Sequence, residues 1–214
     1  MILESEPKYV RTGTQRKGAL FCLALALFTA ASTMQAAPIT AVVASTDMGT
    51  SGVTLLSHIV DGSGLSAYNF SATHAAGDPT NDWVSLAVTG TITFNLGGLH
   101  NLDGMAVWNF NTANIFGVQA LTVAGSTDGV NFSAIAGAPS VFAIGQFFAP
   151  ESAQLFSFST TASFIRFTIT SNYGALTGTG LSEVMFDTVP EPASCALLGA
   201  GLAALAYLRR RRVG

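Results

Sequence analysis

The sequence predicts an all-β domain, an antiparallel β-sandwich, flanked by two apolar segments that belong to export rather than to the fold. Three observations predict it. Between Ile39 and Asp187, short alternations of apolar and polar residues recur, and no stretch has a helical period. Gly-, Asp- and Asn-rich turn signals separate these alternations. Two basic clusters, one near each end of the chain, each flank an apolar run without charge.

The first segment, residues 1–36, reads as a secretory signal. Lys8, Arg11, Arg16 and Lys17 precede Gly18–Ala31, an uncharged apolar run, and "TMQAAP" follows it. That run is short for a membrane span, which needs about 20 residues. Cleavage is expected after Ala36, because a cut one residue later would leave Pro38 first. Cys22 falls in this segment and Cys195 in the C-terminal one, so the part between them has no cysteine. An exported domain without disulfides is held by its core, with or without a metal.

Residues 37–188 carry the strands. "DGSG" at Asp61 and "GDPTND" at Gly77 are turn signals. "TITFNL" puts Ile92, Phe94 and Leu96 on one face, and "LGG" closes it. "MAVWNFN" and "VQALTV" are strand-like, with Trp108 expected in the core. Asp128-Gly129 reads as a hairpin turn. "FIRFTIT" puts Ile165, Phe167 and Ile169 opposite Arg166, Thr168 and Thr170. This series of short strands implies a sandwich or jelly roll, and the lack of a repeat disfavours propellers and solenoids.

Residues 189–214 form the third segment. Ala193–Leu208 is uncharged and would rise about 24 Å as a helix. A bilayer core of about 30 Å is within reach once Tyr207 and snorkelling arginines cover the rest. Arg209, Arg210, Arg211 and Arg212 would stop translocation and stay on the cytoplasmic side. Pro190 and Pro192 separate this transmembrane helix, 193–208, from the domain.

Charge narrows the function. Only 10% of the residues are charged, against about 25% in ordinary soluble domains. The middle of the chain holds nine acids against Arg166 alone, close to −8. Such a surface disfavours nucleic acid, whose binders need a basic footprint. It suits neutral ligands and divalent cations. Arg166 is expected to pair with a carboxylate. Catalysis has little support: His58, His74 and His100 lack metal-ligand spacing, and there is no GxSxG motif. The expectation is a protein that is not an enzyme.

Two resemblances add to this. Val189-Pro190-Glu191-Pro192, the apolar run and the terminal arginines resemble the PEP-CTERM sorting signal. That resemblance implies a Gram-negative bacterium making extracellular polysaccharide. It also implies an exosortase that recognises Val189, Pro190, Glu191 and Pro192 and cuts near them. The chain would be anchored in the inner membrane before processing, then sorted to the cell surface or the extracellular matrix of a biofilm.

The second resemblance spans residues 40–187. Trp83 before "TITFNLGG", the turn Ser126-Thr127-Asp128-Gly129, the strand Phe164-Ile165-Arg166-Phe167 and Leu181-Ser182-Glu183-Val184 resemble, in that order, the discoidin or coagulation-factor type-C family. That family has a galactose-binding-like jelly roll, and its bacterial carbohydrate-binding members fit better than animal ones. The resemblance implies a structural Ca2+ held by Asp61, Ser66 and Glu183. The alternative is a plain Asp-Gly turn with Glu183 paired to Arg166. Trp83, Tyr68 and Tyr173 lie near loops; one of them is the candidate sugar-stacking residue, with ordinary packing the default alternative.

Three functions stand. The leading one is an exported protein that binds or organises extracellular polysaccharide through loops at one end of the sandwich. The others are a purely structural matrix component and a small secreted glycan-active hydrolase.

Overall fold

The computed structural model describes residues 37–188 and Gly201. The expected signal 1–36, the motif 189–192 and the basic tail 209–212 lie outside the described residues, as does the expected helix 193–208 apart from Gly201. Among the described residues no helix is long and apolar enough to cross a membrane.

The domain is nearly all β. Its strands are β1 (Ala37–Pro38), β2 (Val43–Thr46), β3 (Thr73–His74), β4 (Trp83–Val84), β5 (Gly90–Asn109), β6 (Val118–Ser126), β7 (Ser133–Ala134), β8 (Glu151–Ser152), β9 (Gln154–Asn172) and β10 (Gly180–Thr188). All the strand pairings are antiparallel. The helical content is two 3₁₀ turns, Leu56–Ile59 and Asn114–Phe116.

Two long strands build both layers. The first half of β5 pairs with β2 on one side and with the second half of β9 on the other, Asn95 facing Phe164. The register breaks between Asn95 and His100, and pairing resumes with His100 opposite Ala162. Beyond the break, β5 runs between β10 and the first half of β9. Gly97 supplies the bend with φ +78°, a conformation that costs a residue with a Cβ about 1–2 kcal/mol. β6 and β7 extend the first layer beyond β9; β1 extends the second beyond β10.

The main core lies between these layers. Ile92, Phe94 and Leu96 face inward from the first, and Val107, Val184 and Phe186 from the second. Phe94 meets Phe167 at 4.9 Å and Phe186 at 5.2 Å, both edge to face. Each such side chain contributes about 1.5–3 kcal/mol through burial. The alternation in "TITFNL" and "FIRFTIT" is observed: Ile165, Phe167 and Ile169 are buried too.

A second, smaller core covers the outer face of the β5–β10 pair. Ala106, Trp108 and Met185 pack there against Ala72, with Leu65 and Phe70 over them. Trp108 is fully buried and donates its indole N–H to the Ala72 carbonyl at 3.0 Å. Segment 61–75 is therefore a cover over a strand face, and it places a loop above β10.

The two ends of the sandwich differ. Both ends of β5, both ends of β9 and the start of β10 meet at one end, called distal here. The bend at Gly97, the β6–β7 turn and Thr188 lie at the other. Thr188, the last residue of β10, is thus opposite the distal loops.

Candidate functional site

Two places gather functional groups: a buried carboxylate beneath segment 61–75, and the distal loops.

Glu183 projects from β10 under the loop that begins at Asp61. A register shift between Leu181 and Glu183 turns it to the outer face, opposite Trp108. It is fully buried. The Gly62 N–H donates to Glu183 Oε2 at 2.9 Å, and Oε1 has no partner. Burial, opposed by the Gly62 bond and aided by the nearby Asp61 charge, pushes its pKa up to about 9. Asp61 bends its own loop, accepting from the Ser63 N–H at 2.9 Å. Tyr68 closes the site from the side: its hydroxyl donates to the Ile39 carbonyl at 3.2 Å, and its ring lies against Gly62.

The turn that begins at Asp61 therefore lies against Glu183. The Ser66 hydroxyl accepts from the Thr73 N–H at 3.1 Å. An orphaned carboxylate oxygen beside a second carboxylate and a Gly-rich turn is a donor set that fits Ca2+, which takes hard oxygens.

Among the described residues Arg166 forms no ion pair with a carboxylate, although its charge helps to lower the pKa of Asp47. Its guanidinium stacks 3.6 Å over the Phe132 ring, and its Nε donates to Thr93 Oγ1 at 3.1 Å. The strand alternation puts it on the outer face of β9, far along the sheet from Glu183, so the alternative pairing of Glu183 with Arg166 is corrected. Asp128-Gly129 is a turn, as expected. Asp128 Oδ1 accepts from the N–H groups of Val130 and Asn131, which hold its carboxyl below the usual range, and Gly129 has φ +75°.

The three candidate aromatic residues do not form one surface. Trp83 is fully buried, with its indole N–H donated to Thr50 Oγ1 at 3.0 Å, so it offers no ring face to a ligand. The sequence places it beside a turn, but β4 pairs with β10 and carries its side chain into the core. Tyr68 sits beside Glu183. Tyr173 is at the distal end and is tied to the Phe142 carbonyl.

The exposed aromatic pair is Phe147 and Phe148, which sequence reasoning missed. They are 64% and 58% exposed, with ring centroids 4.8 Å apart at 83°. The signal was present: two consecutive Phe between Gly145 and Pro150, outside any alternating pattern. Their loop is pinned from several sides. Gln154 bonds both backbone groups of Ala143, at 2.7 and 2.9 Å. Asn114 donates to the Gly145 carbonyl, and the Gln146 N–H donates to Glu151 Oε2. The Phe148 N–H donates to the Thr112 carbonyl, and Asn111 donates to the Ala149 carbonyl. Phe148 has φ +47°, a strained value for an aromatic residue. A loop so restrained, yet turning two rings to solvent, is ordered for display.

The distal end also holds an open cavity of about 390 Å³. Ser51, Thr54, Ser85 and Thr177 are among its lining residues, Phe116 forms part of its wall, and no charged residue contributes.

No curated protein matches the chain. Among solved structures it is similar to the CBM32 of AlyQ in complex with 4,5-unsaturated mannuronic acid, at 24% identity over 71% of this chain and 97% of that one, with TM-score 0.47. It is also similar to the family 32 CBM of NanJ from C. perfringens in complex with galactose. There the identity is 15%, the coverage 72% and 99%, and the TM-score 0.49. A third is CBM32-1 from a family 31 glycoside hydrolase of Clostridium perfringens, at 13% identity over 71% and 96%, with TM-score 0.49. Residues 188–212 match the PEP-CTERM protein-sorting motif, so the chain carries that sorting signal at its C-terminal end.

Proposed function

We infer that this chain is an exported protein whose domain binds a neutral, hydroxyl-rich extracellular polysaccharide through its distal loops. The observation that carries this reading is the Phe147–Phe148 pair, two exposed rings on a loop restrained by hydrogen bonds. Aromatic faces suit the C–H faces of sugars, and a restrained loop loses little entropy on binding. The cavity at the same end, lined without a charged residue, supports a neutral ligand. The sorting motif supports export, and the expected exosortase would act at the opposite end of the domain, leaving the distal loops free. The function is binding rather than catalysis. Ca2+ is proposed at Asp61 and Glu183, where it would engage the orphaned Glu183 oxygen and fasten segment 61–75 to β10.

A glycan array and affinity electrophoresis with fragment 37–188 test the reading. Phe147→Ala with Phe148→Ala is expected to weaken binding by tenfold or more, on the scale of interface hot spots of about 2 kcal/mol. Both side chains are exposed, so the melting temperature should hardly move. Absence of binding to every neutral polymer would favour a purely structural matrix role instead.

A further inference from the structure

A second buried acceptor site lies where segment 75–82 meets the ends of β5 and β10. Asp82 is 1% exposed. Its Oδ2 accepts from the Thr112 hydroxyl at 2.6 Å, and its Oδ1 has no partner. Asn111 is fully buried beside it. Both of its amide hydrogens are engaged, donated to the carbonyls of Ala75 at 2.7 Å and Ala149 at 3.0 Å. That fixes the orientation of the amide, and Oδ1 is left as an acceptor. The Ser182 hydroxyl donates to the Asn109 carbonyl at 3.1 Å and lies 3.4 Å from Asn111 Oδ1.

Gly77 lies directly against this group. A Cβ there would lie within 2.7 Å of Asp82 Oδ2, Thr112 Oγ1 and Asn111 Oδ1 at once. Gly77 does not have a positive φ, so glycine is needed for space and not for conformation. Three side-chain oxygens, one from Asp82 and two from the consecutive residues Asn111 and Thr112, thus converge on one point, and the Thr112 and Ser182 hydroxyl hydrogens beside it are already donated.

Charge points to what belongs there. Glu151, also buried, lies close enough to Asp82 for their charges to interact. Its two oxygens are occupied by the backbone N–H groups of Asn109 and Gln146. Arg166, the one basic residue of the domain, is engaged over Phe132. His74, beside the site, turns its ring nitrogens to the carbonyls of Ala75 and Asn81. Of the charged groups beside Asp82, His74 favours its ionised form and Asp78 opposes it; a buried carboxylate without a bonded cation is unfavourable, and hard oxygens without free donors suit a hard cation.

We propose that Asp82, Asn111, Thr112 and Ser182 hold a small divalent cation, Ca2+ or Mg2+, over Gly77, at a site separate from Asp61 and Glu183. The ion clips segment 75–82 onto the ends of β5 and β10. It also bears on the distal loops, because Asn111 and Thr112 hold the Phe147–Phe148 loop through Ala149 and Phe148. The proposal does not depend on what that loop binds.

The test counts ions. Residues 37–188 close on themselves, first strand against last, within a compact unit spanning Gln35–Pro190, so fragment 37–188 serves. Wild type, Asp82→Asn and Glu183→Gln are stripped with chelator and titrated with Ca2+ and, separately, with Mg2+. Bound metal is read by mass spectrometry of the dialysed protein, and stabilisation by melting temperature. Asp82→Asn keeps the shape of the side chain and removes the charge. It is expected to bind one ion fewer per chain than wild type and to lose part of the metal-induced rise in melting temperature. Glu183→Gln should keep the ion that Asp82→Asn loses. Gly77→Ala, which fills the cradle, should match Asp82→Asn in ion count. Equal metal content in wild type and Asp82→Asn overturns the proposal, as does loss of all bound metal in Glu183→Gln. The readouts are independent of glycan binding, so failure here leaves the polysaccharide reading intact, and the reverse.

Discussion

Glu183 shows how much one residue can carry. The folded state holds its proton up to about pH 9, whereas an ordinary Glu releases it near 4.5. The folded chain therefore binds more protons than the unfolded chain between these values, and stability falls as pH rises through that window. In chelator, the melting temperature of wild type should decline from about pH 5 towards pH 9. Glu183→Gln should flatten that decline, and a decline unchanged in the variant would mean that Glu183 is not its source. Saturating Ca2+ should flatten it in wild type too, since a bound cation favours the ionised form. At this scale the sequence named Asp61 and Glu183 as neighbours through a family resemblance. It could not show that Ser66 turns to Thr73, because that depends on how segment 61–75 folds back on itself.

At the scale of elements, the alternation of apolar residues was legible because a strand face must match the core it meets. Ile92, Phe94, Leu96, Ile165, Phe167 and Ile169 are all inward, as their period of two requires. What alternation could not show is that β5 and β9 each serve both layers. Phe94 contacts rings from β9 and β10 together, so Phe94→Ala should cost about 3–5 kcal/mol. Urea denaturation followed by Trp fluorescence measures this; a loss below 1 kcal/mol would mean that the two layers do not meet at this ring. For Trp83 ordinary packing, the default alternative, holds for a related reason. A residue next to a turn looks exposed in a sequence, but two residues of β4 pair with Gly180 and Leu181 and turn the indole inward.

The whole molecule is governed by its charge. Burial raises the pKa of Asp82, Glu151 and Glu183, and of the partly exposed Asp187. Hydrogen bonds lower those of Asp47, Asp78 and Asp128. The lowered group gives stability that is lost as pH falls below the carboxylate range, and the raised group gives stability that is lost as pH rises above it. The metal-free domain should therefore be most stable in mildly acidic buffer, with melting temperatures falling on both sides. Added salt should raise the melting temperature near neutrality by screening a net charge close to −8. A profile that rises steadily to pH 8 in chelator would contradict this account.

The sequence by itself determined the sorting motif, the β class and the inward faces of the strands. These depend on local order: a motif is read linearly, and alternation follows from backbone geometry. Only the tertiary structure decided which acids are buried, which aromatic rings reach solvent, and that Gly77 lies against Asp82, Asn111 and Thr112. Those outcomes depend on contacts between segments far apart in the chain, and no local pattern encodes which segment will cover which.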